Sequence, residues 1–259
     1  MADRIIVFTL HKCASTFIHR QTKRLCRKSN IVHYSPNGEN SKITEEQLLS
    51  DKDIWQNKGC FAPVRFFVDV PQIQKYDIIL HLRDPRDVLV SMFYSYCYIH
   101  PGEIPANTGY RKAVAERGID EFVLNKASDK SLIYRGDYGT GSHVEKYAGN
   151  FPQRYKDYIN KLLNQPNVSL VKYEEMVTDY RAWLTKFIQP FPLKPRQQIN
   201  TIEQLVEQSS NFFPQRDRDL MTHTRHITPG DYKNKLKPET ISCLNDIFAN
   251  TLDILNYER

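Results

Sequence analysis

The chain has 259 residues, of which 40% are hydrophobic and 12% aromatic, enough for a globular protein with a real core. Its five cysteines include no Cys-x-x-Cys pair, which argues against a disulfide framework or a structural zinc site. The net charge of +6 favours anionic partners such as nucleotides, nucleic acid or acidic glycans, although dispersed Lys and Arg are more typical of a solvated surface.

The first predicted elements are a strand and a helix joined by a tight turn. Residues 5–9 form a short apolar run typical of a buried strand, and from about residue 15 to 28 apolar side chains fall on one helical face with Arg and Lys on the other. The turn, Lys12-Cys-Ala-Ser-Thr16, combines small side chains with one lysine at a helix N-terminus. This arrangement suits an anion, but it lacks the Gly-x-x-x-x-Gly-Lys-Ser/Thr pattern of nucleoside triphosphatases.

The remaining pattern alternates strands with helices. Alternation of this kind predicts βαβ units around a parallel sheet, and without a convincing linker we predict one domain, 1–259. No apolar run approaches ~18 residues and the first strand starts within about five residues of the N-terminus, so we expect no signal peptide or membrane span, and a cytoplasmic protein. The predicted elements are strands at 30–34, 76–83 and 168–173, an irregular β segment at 60–68, and helices at 44–50, 85–96, about 110–125, 143–163 and 178–187.

Two further segments have the chemistry of anion sites. Arg83 ends a predicted strand, and Ser91 follows eight residues later on the next helix, so the two could share one phosphate. The structural alternative is an ion pair between Arg83 and Asp87 that caps the helix. Nearer the C-terminus, the basic segment 223–235 contains Arg225 and His226 and could close over a bound anion.

These segments together resemble the motifs of sulfotransferases. Residues 12–17 resemble the Lys-Ser-Gly-Thr-Thr-Trp loop that binds the 5′-phosphosulfate, and 83–91 match the 3′-phosphate motif, including its Arg-to-Ser spacing. Residues 172–176 and 225–234 resemble the Tyr-Glu-Asp-Met and Arg-Lys-Gly-x-x-Gly-Asp-Trp-Lys-Asn segments. The resemblance implies an α/β fold, a three-layer sandwich around a central parallel sheet of the P-loop NTPase-like sulfotransferase type.

It also implies that the donor is 3′-phosphoadenosine 5′-phosphosulfate (PAPS), with 3′-phosphoadenosine 5′-phosphate (PAP) as its product and no metal requirement. The acceptor, a small molecule, lipid or glycan, is left open, as is the oligomeric state. By the resemblance, the 5′-phosphosulfate contacts come from Lys12, Cys13, Ala14, Ser15 and Thr16, the 3′-phosphate contacts from Arg83, Ser91, Arg225 and His226, and the adenine contacts from Phe17, Tyr173, Ser209 (or Ser210) and Phe212.

The expected catalytic base departs from the family pattern. Members that act on small molecules have Lys-Thr-His-Leu-Pro before the 3′-phosphate motif, whereas this chain has Phe61-Ala-Pro-Val-Arg65, without the histidine. Glycan- and tyrosine-directed members place a glutamate about twenty residues after the loop lysine, where this chain has His33. We predict that His33 is the base, with Glu39 as the alternative, and that Lys12 stabilises charge on the leaving phosphate.

Three other functions make different demands on the sequence. A kinase-like phosphotransferase would need a full Walker A motif and a Mg²⁺-binding aspartate at a strand end. An RNA-binding protein would show basic clusters interleaved with aromatic residues, which this sequence lacks, so we predict no nucleic-acid partner. A sulfotransferase-like pseudoenzyme remains an alternative because the usual catalytic histidine is missing.

Overall fold

A parallel β-sheet lies at the centre of the fold. The computed structural model describes residues 4–36, 43–99, 108–128, 150–211 and 228–259. Within these ranges, five strands pair in the order β2-β3-β1-β4-β5, and every pairing is parallel. The strands are β1 (Arg4–Phe8), β2 (His33–Tyr34), β3 (Gly59–Val64), β4 (Asp77–Leu82) and β5 (Val168–Lys172).

Helices connect and follow these strands. The α-helices of the described ranges are α1 (Ser15–Ser29), α2 (Glu45–Ser50), α3 (Pro85–Tyr94), α4 (Thr108–Arg117), α5 (Ile119–Ala127), α6 (Phe151–Tyr158), α7 (Tyr173–Thr178), α8 (Tyr180–Phe187), α9 (Pro195–Glu207), α10 (Tyr232–Lys235), α11 (Pro238–Ile247) and α12 (Ala249–Ile254). Short 3₁₀ segments occupy Lys52–Gln56, Ile73–Lys75 and Gln208–Asn211, and π-type turns extend α3 and α6 over Ser95–Ile99 and Ile159–Leu163. None of the helices in these ranges is long and apolar enough to cross a membrane.

The internal contacts of the chain divide it into two compact units. The first unit comprises 1–82 and 160–214 and contains the whole sheet. In its core, the buried face of α1 and the aromatic side chains of α8 pack with β1 residues such as Ile5 and Val7. The second unit comprises 83–159 and 215–259, and in it α3 packs against α5, with the rings of Phe93 and Phe122 edge-to-face at 5.4 Å.

Local capping signals place several helix ends where the sequence predicts them. The Thr44 hydroxyl accepts the Gln47 N–H at 3.1 Å and the Gln47 side chain accepts the Thr44 N–H at 2.8 Å, so the predicted capping box forms at the start of α2. Asp84 caps α3 by accepting the Arg86 N–H at 2.9 Å, with Pro85 in the first helical position. These contacts involve neighbours in sequence, which is why the sequence alone reveals them.

Other predicted elements differ in extent. The strand predicted at 30–34 is reduced to His33–Tyr34, and the helix predicted at 178–187 is preceded by a separate helix, α7. Of the helix predicted at 143–163, the described part begins at Phe151, where Asn150 has extended backbone angles and caps α6. Residues 143–149 lie outside the described ranges. In β3, the pairing register with β1 shifts between Ile6 and Phe8, across the stretch that contains Pro63.

Candidate active site

The turn between β1 and α1 has an unusual backbone. Lys12 and Ala14 both adopt the left-handed conformation, with φ of 65° and 59°, and Cys13 between them is fully buried. Such angles cost a non-glycine residue about 1–3 kcal/mol and are kept mainly at functional sites. Left-handed residues in a short turn also form the concave rows of backbone N–H groups that bind anions.

The start of α1 adds to this anion-binding character. The first bond of the helix runs from the Ile18 N–H to the Ala14 carbonyl at 3.0 Å, so the N–H groups of Ser15, Thr16 and Phe17 precede the intrahelical ladder. Ala14 provides no side-chain cap, and the first turn contains no acidic residue. The positive end of the helix dipole is therefore not compensated locally, which favours a negatively charged ligand there.

A buried histidine lies on the strand next to this turn. His81 of β4 is fully buried, with its ring edge-to-face against Trp183 at 5.8 Å. Burial lowers the pKa of His81 to about 3, although an interaction with the Cys13 backbone raises it. The side chain therefore remains neutral at physiological pH and adds no charge to the turn between β1 and α1.

His33, the predicted base, is held by its environment in one tautomer. Its Nε2 lies 2.8 Å from the Ala62 carbonyl oxygen and 3.2 Å from Thr22 Oγ1. A carbonyl only accepts, so Nε2 carries the proton and Nδ1 is the proton-accepting nitrogen. Burial lowers the pKa of His33 to about 4, and the charge of Lys23 contributes to the shift. The ring is neutral at pH 7, as a general base must be.

A second histidine accompanies His33. The rings of His19 and His33 are 5.1 Å apart, and His19 Nδ1 lies 3.0 Å from the Ser35 hydroxyl. Burial, with smaller contributions from Lys23 and Arg20, lowers the pKa of His19. The sequence alone does not distinguish His19, because nothing in it shows that one turn of α1 faces the second strand.

In the second unit, Arg83 and Asp87 form an ion pair, which is the structural alternative to phosphate binding by Arg83. Arg83 Nη2 lies 3.7 Å from Asp87 Oδ2, and both side chains are almost fully buried. The same carboxylate accepts the Gly230 N–H at 2.8 Å and the Tyr232 N–H at 3.0 Å. Burial raises the pKa of Asp87, and the Arg83 charge and the two N–H groups counteract that rise. Asp87 thus holds the Gly230–Tyr232 turn beside Arg83.

The other predicted ligand residues occupy varied positions. Phe17 is half-buried with its ring 6.1 Å from that of Tyr180, Ser91 is half-buried on α3, and Ser209 lies in the 3₁₀ segment after α9. Tyr173 is only 5% exposed and belongs to the core cluster of the first unit. Four predicted residues lie outside the described ranges: Glu39, Phe212, Arg225 and His226.

Comparison with known proteins settles the family. The sequence pattern of the sulfotransferase domain matches residues 71–256, well over half of the chain. The chain belongs to the sulfotransferase domain family. The match includes Arg83, Ser91 and Tyr173, whereas the loop at Lys12 and the predicted base His33 precede it. The predictions of a sulfotransferase and of an α/β fold around a parallel sheet are confirmed.

Solved structures of other proteins have a similar fold. Mouse sulfotransferase SULT7A1 complexed with PAP is similar with a TM-score of 0.61 and 16% identity, over 97% of this chain and 84% of that chain. Retinol dehydratase in a complex with retinol and PAP is similar with a TM-score of 0.56 and 12% identity, over 97% of this chain and 81% of that chain. At such identities the likeness shows the fold alone. The search of curated proteins found no match.

Proposed function

We propose that this sulfotransferase transfers a sulfuryl group from PAPS to a hydroxyl or amine acceptor. The observation that carries the proposal is the left-handed turn at Lys12 and Ala14, which leads into the uncompensated N-terminus of α1 in a chain of this family. That turn suits the 5′-phosphosulfate end of the donor. The acceptor is a small molecule, a lipid or a glycan. Solved structures of retinol dehydratase contain retinol or androsterone, but these ligands are known for that protein and not for this chain.

In the proposed reaction, the acceptor oxygen or nitrogen attacks the sulfur in line with the leaving phosphate. A new bond to sulfur forms, the bond between sulfur and the bridging oxygen breaks, and its electron pair remains on the phosphate of PAP. The Lys12 ammonium stabilises the charge that develops on that oxygen, and the N–H groups at the start of α1 contribute in the same direction. The acceptor proton passes to His33 Nδ1, since Nε2 donates to the Ala62 carbonyl.

The 3′-phosphate is assigned to Arg83 and Ser91. A buried guanidinium is an effective partner for a phosphate because it is permanently charged and offers a planar row of donors. Asp87 lies 3.7 Å from Arg83 and accepts the backbone N–H groups of Gly230 and Tyr232, so this carboxylate holds the arginine in place at the start of α3. Arg225 and His226 are proposed to add contacts to the same phosphate, and Tyr173, Ser209, Phe17 and Phe212 contacts to the adenine.

A thermal-shift experiment tests the donor site. At a hundredfold excess over Kd, PAP should stabilise the protein by ~2.7 kcal/mol, which corresponds to a rise in Tm of roughly 5–11 °C. Adenosine 5′-monophosphate, which lacks the 3′-phosphate, and ATP should give much smaller shifts. The Arg83→Ala variant should lose the shift with PAP, whereas Arg181→Ala, which removes an exposed arginine paired with Glu203, should keep it. Equal shifts with PAP and adenosine 5′-monophosphate would contradict the assignment.

A second prediction concerns the base. His33→Ala should lower kcat by about 10²–10⁴-fold and leave the PAP shift intact, because general-base catalysis contributes that much. Since the His33 pKa is about 4 in the ligand-free protein and the ring accepts a proton only when neutral, the acid limb of kcat/KM should fall near pH 4 rather than at the usual value near 6.5. Activity profiles between pH 3.5 and 8 of the wild type and the variant measure this.

His19→Ala is the matched control, since it removes the neighbouring ring without removing the proposed base. Glu39→Gln tests the alternative. Unchanged turnover in His33→Ala together with its loss in Glu39→Gln would move the role of base to Glu39. Binding of PAP without transfer to any acceptor would instead favour the pseudoenzyme.

A further inference from the structure

A histidine lies in one of the most apolar strands of the sheet. Strand β4 reads Asp77-Ile-Ile-Leu-His-Leu82, and its last five residues are all buried. His81 is the one polar residue among those five, and it is fully buried. Among the described residues, neither of its ring nitrogens forms a hydrogen bond of ordinary geometry. A buried polar group without such a bond is rare in native proteins and calls for a physical reason.

The register of the sheet places His81 beside the turn between β1 and α1. Strands β1 and β4 are parallel, and their last aligned pair is Phe8 with Leu80. His81 is the next residue of β4, so it lies at the carboxyl end of the strands, where β1 passes into the turn. Its ring contacts Trp183 edge-to-face, and its polar neighbour is the backbone of Cys13.

The effect of this neighbour on the ring shows which backbone group it is. Burial lowers the pKa of His81 to about 3, and the Cys13 backbone acts against that shift. A group that raises the pKa of a histidine stabilises a protonated ring nitrogen, so it is a hydrogen-bond acceptor. In a backbone the acceptor is the carbonyl oxygen. The ring N–H of His81 and the Cys13 carbonyl are thus neighbours that have not closed into a full hydrogen bond.

The Cys13 carbonyl shares a peptide unit with the N–H group of Ala14. The units on either side are fixed by backbone bonds, from the Cys13 N–H to the Leu10 carbonyl at 3.2 Å and from the Ile18 N–H to the Ala14 carbonyl at 3.0 Å. In a trans peptide such as this one, the carbonyl and the N–H point in opposite directions. A histidine that holds the carbonyl from the side of the core therefore aims the Ala14 N–H away from the core, as an anion-binding turn requires.

We propose that His81 is a positioning residue of this turn: its ring N–H donates to the Cys13 carbonyl and so sets the direction of the Ala14 N–H. This role rests on the proposed function, which assigns the 5′-phosphosulfate of PAPS to the turn. Binding of the donor closes the hydrogen bond, because an anion on the Ala14 N–H polarises the peptide unit and strengthens its carbonyl as an acceptor. His81 thus acts through the backbone and not by contact with the donor.

Packing alone accounts less well for a histidine at this position. The contact with Trp183 needs only an apolar edge, which leucine would supply without burying two nitrogen atoms. A charge on the ring is excluded as the reason, because His81 is neutral at physiological pH. The left-handed angles of Lys12 and Ala14, in contrast, need support from their surroundings. A rigid N–H donor inside the apolar core supplies that support.

Calorimetric titration with two nucleotides tests this role. PAP carries both phosphates, whereas adenosine 3′-monophosphate lacks the 5′-phosphate that the turn is proposed to bind. His81→Leu keeps a buried apolar side chain but has no donor, so we expect its Kd for PAP to rise about tenfold, the effect of losing one hydrogen bond. Its Kd for adenosine 3′-monophosphate should not change, because that ligand makes no use of the turn.

Two conservative variants identify the donating nitrogen. His81→Asn places an amide N–H near the position of Nδ1, and His81→Gln places one near that of Nε2. The variant that matches the donor should bring the Kd for PAP back to within about threefold of the wild type. Ile79→Val is the matched control, since Ile79 lies on the same face of β4 and should affect neither Kd. Recovery by neither conservative variant would overturn the hydrogen bond.

Thermal unfolding without ligand gives a readout of opposite sign. His81→Leu should have a Tm at or above that of the wild type, because it replaces a buried polar group by apolar atoms. A purely structural role for His81 predicts the reverse, a lower Tm and equal weakening of both nucleotides. That combination would overturn the proposal.

A measurement on the wild type covers the case in which a variant does not fold. In the NMR spectrum of protein with isotope-labelled histidine, the His81 ring N–H is recognised by its proximity to the Trp183 indole. PAP should shift this signal downfield and slow its exchange with solvent, whereas adenosine 3′-monophosphate should leave it unchanged. A signal that does not respond to PAP would contradict the closing of the hydrogen bond.

The outcomes separate this inference from the proposed function. If the wild type binds PAP more tightly than adenosine 3′-monophosphate and His81→Leu keeps that preference, this inference alone is overturned. If the wild type shows no preference for PAP, the assignment of the 5′-phosphosulfate to the turn is overturned as well.

Discussion

Replacing Lys12 by alanine is expected to lower kcat about 10²–10³-fold, the usual cost of removing one preorganised group that stabilises developing charge. The ammonium is expected to matter most in the transition state, when negative charge grows on the bridging oxygen, so affinity for PAP should fall much less than kcat. Lys12 already adopts a left-handed φ of 65°, a conformation that alanine also takes at position 14, so the substitution leaves the turn free to form.

Single-turnover kinetics and PAP thermal shifts of the purified variant measure the two effects separately. Lys12→Arg keeps the charge but changes the shape of the cation, and we expect it to recover only part of the activity. Lys52→Ala, which removes an exposed lysine of the same unit, is the control for a general loss of charge. A kcat for Lys12→Ala within a few-fold of the wild type would remove Lys12 from the chemical step.

Replacing Arg86 by alanine is expected to destabilise the protein by about 3–5 kcal/mol, because it leaves a buried carboxylate without its cation. The Arg86 guanidinium makes two bonds to Asp84, at 2.6 and 3.0 Å, and lies 4.1 Å from the centre of the Tyr232 ring. It also donates to Asn245 at 2.6 Å and to the Glu258 carbonyl at 2.7 Å. One side chain therefore ties the start of α3 to three points of the C-terminal segment.

Thermal or urea unfolding of the variant measures the loss, expected as a fall in Tm of roughly 6–20 °C. Lys233→Ala is the matched control: Lys233 also belongs to the C-terminal segment, but its pair with Glu258 is exposed to solvent, so its loss should change the stability little. If Arg86→Ala costs no more than Lys233→Ala, the buried network is not a significant source of stability.

The elements that could be predicted from the sequence are those that depend on near neighbours. The capping box of Thr44 and Gln47, the Asp84 cap and the turn from β1 into α1 all involve groups within a few residues of one another. Strand β2 could not be predicted in extent, because its length depends on pairing with β3, where Gly59 allows a close approach: a Cβ there would lie 2.6 Å from the Val32 carbonyl oxygen.

The candidate site shows the same division between features set by near neighbours in sequence and features set by tertiary contacts. The residue types at Lys12, Ser15, Arg83 and Ser91, and their spacing, indicate anion sites, because a strand followed by a helix N-terminus is a local construction. It is the resemblance of these segments to the family's motifs that points to a sulfotransferase. The sequence also predicts that the Arg and Lys residues of α1 lie on the face opposite its apolar side chains, and in the structure these cations are exposed.

Only the tertiary structure decided which groups hold these residues in place. His33 is fixed in one tautomer by the carbonyl of Ala62, 29 residues away, and Asp87 receives the N–H groups of Gly230 and Tyr232, 143 and 145 residues away. Neither partnership leaves a trace in the local pattern, because a backbone carbonyl or N–H is the same at every position. The tertiary fold places one particular carbonyl or N–H group within hydrogen-bonding distance of each side chain. The sequence therefore determined the chemistry of the candidate site, and the tertiary contacts determined the protonation and orientation of its side chains.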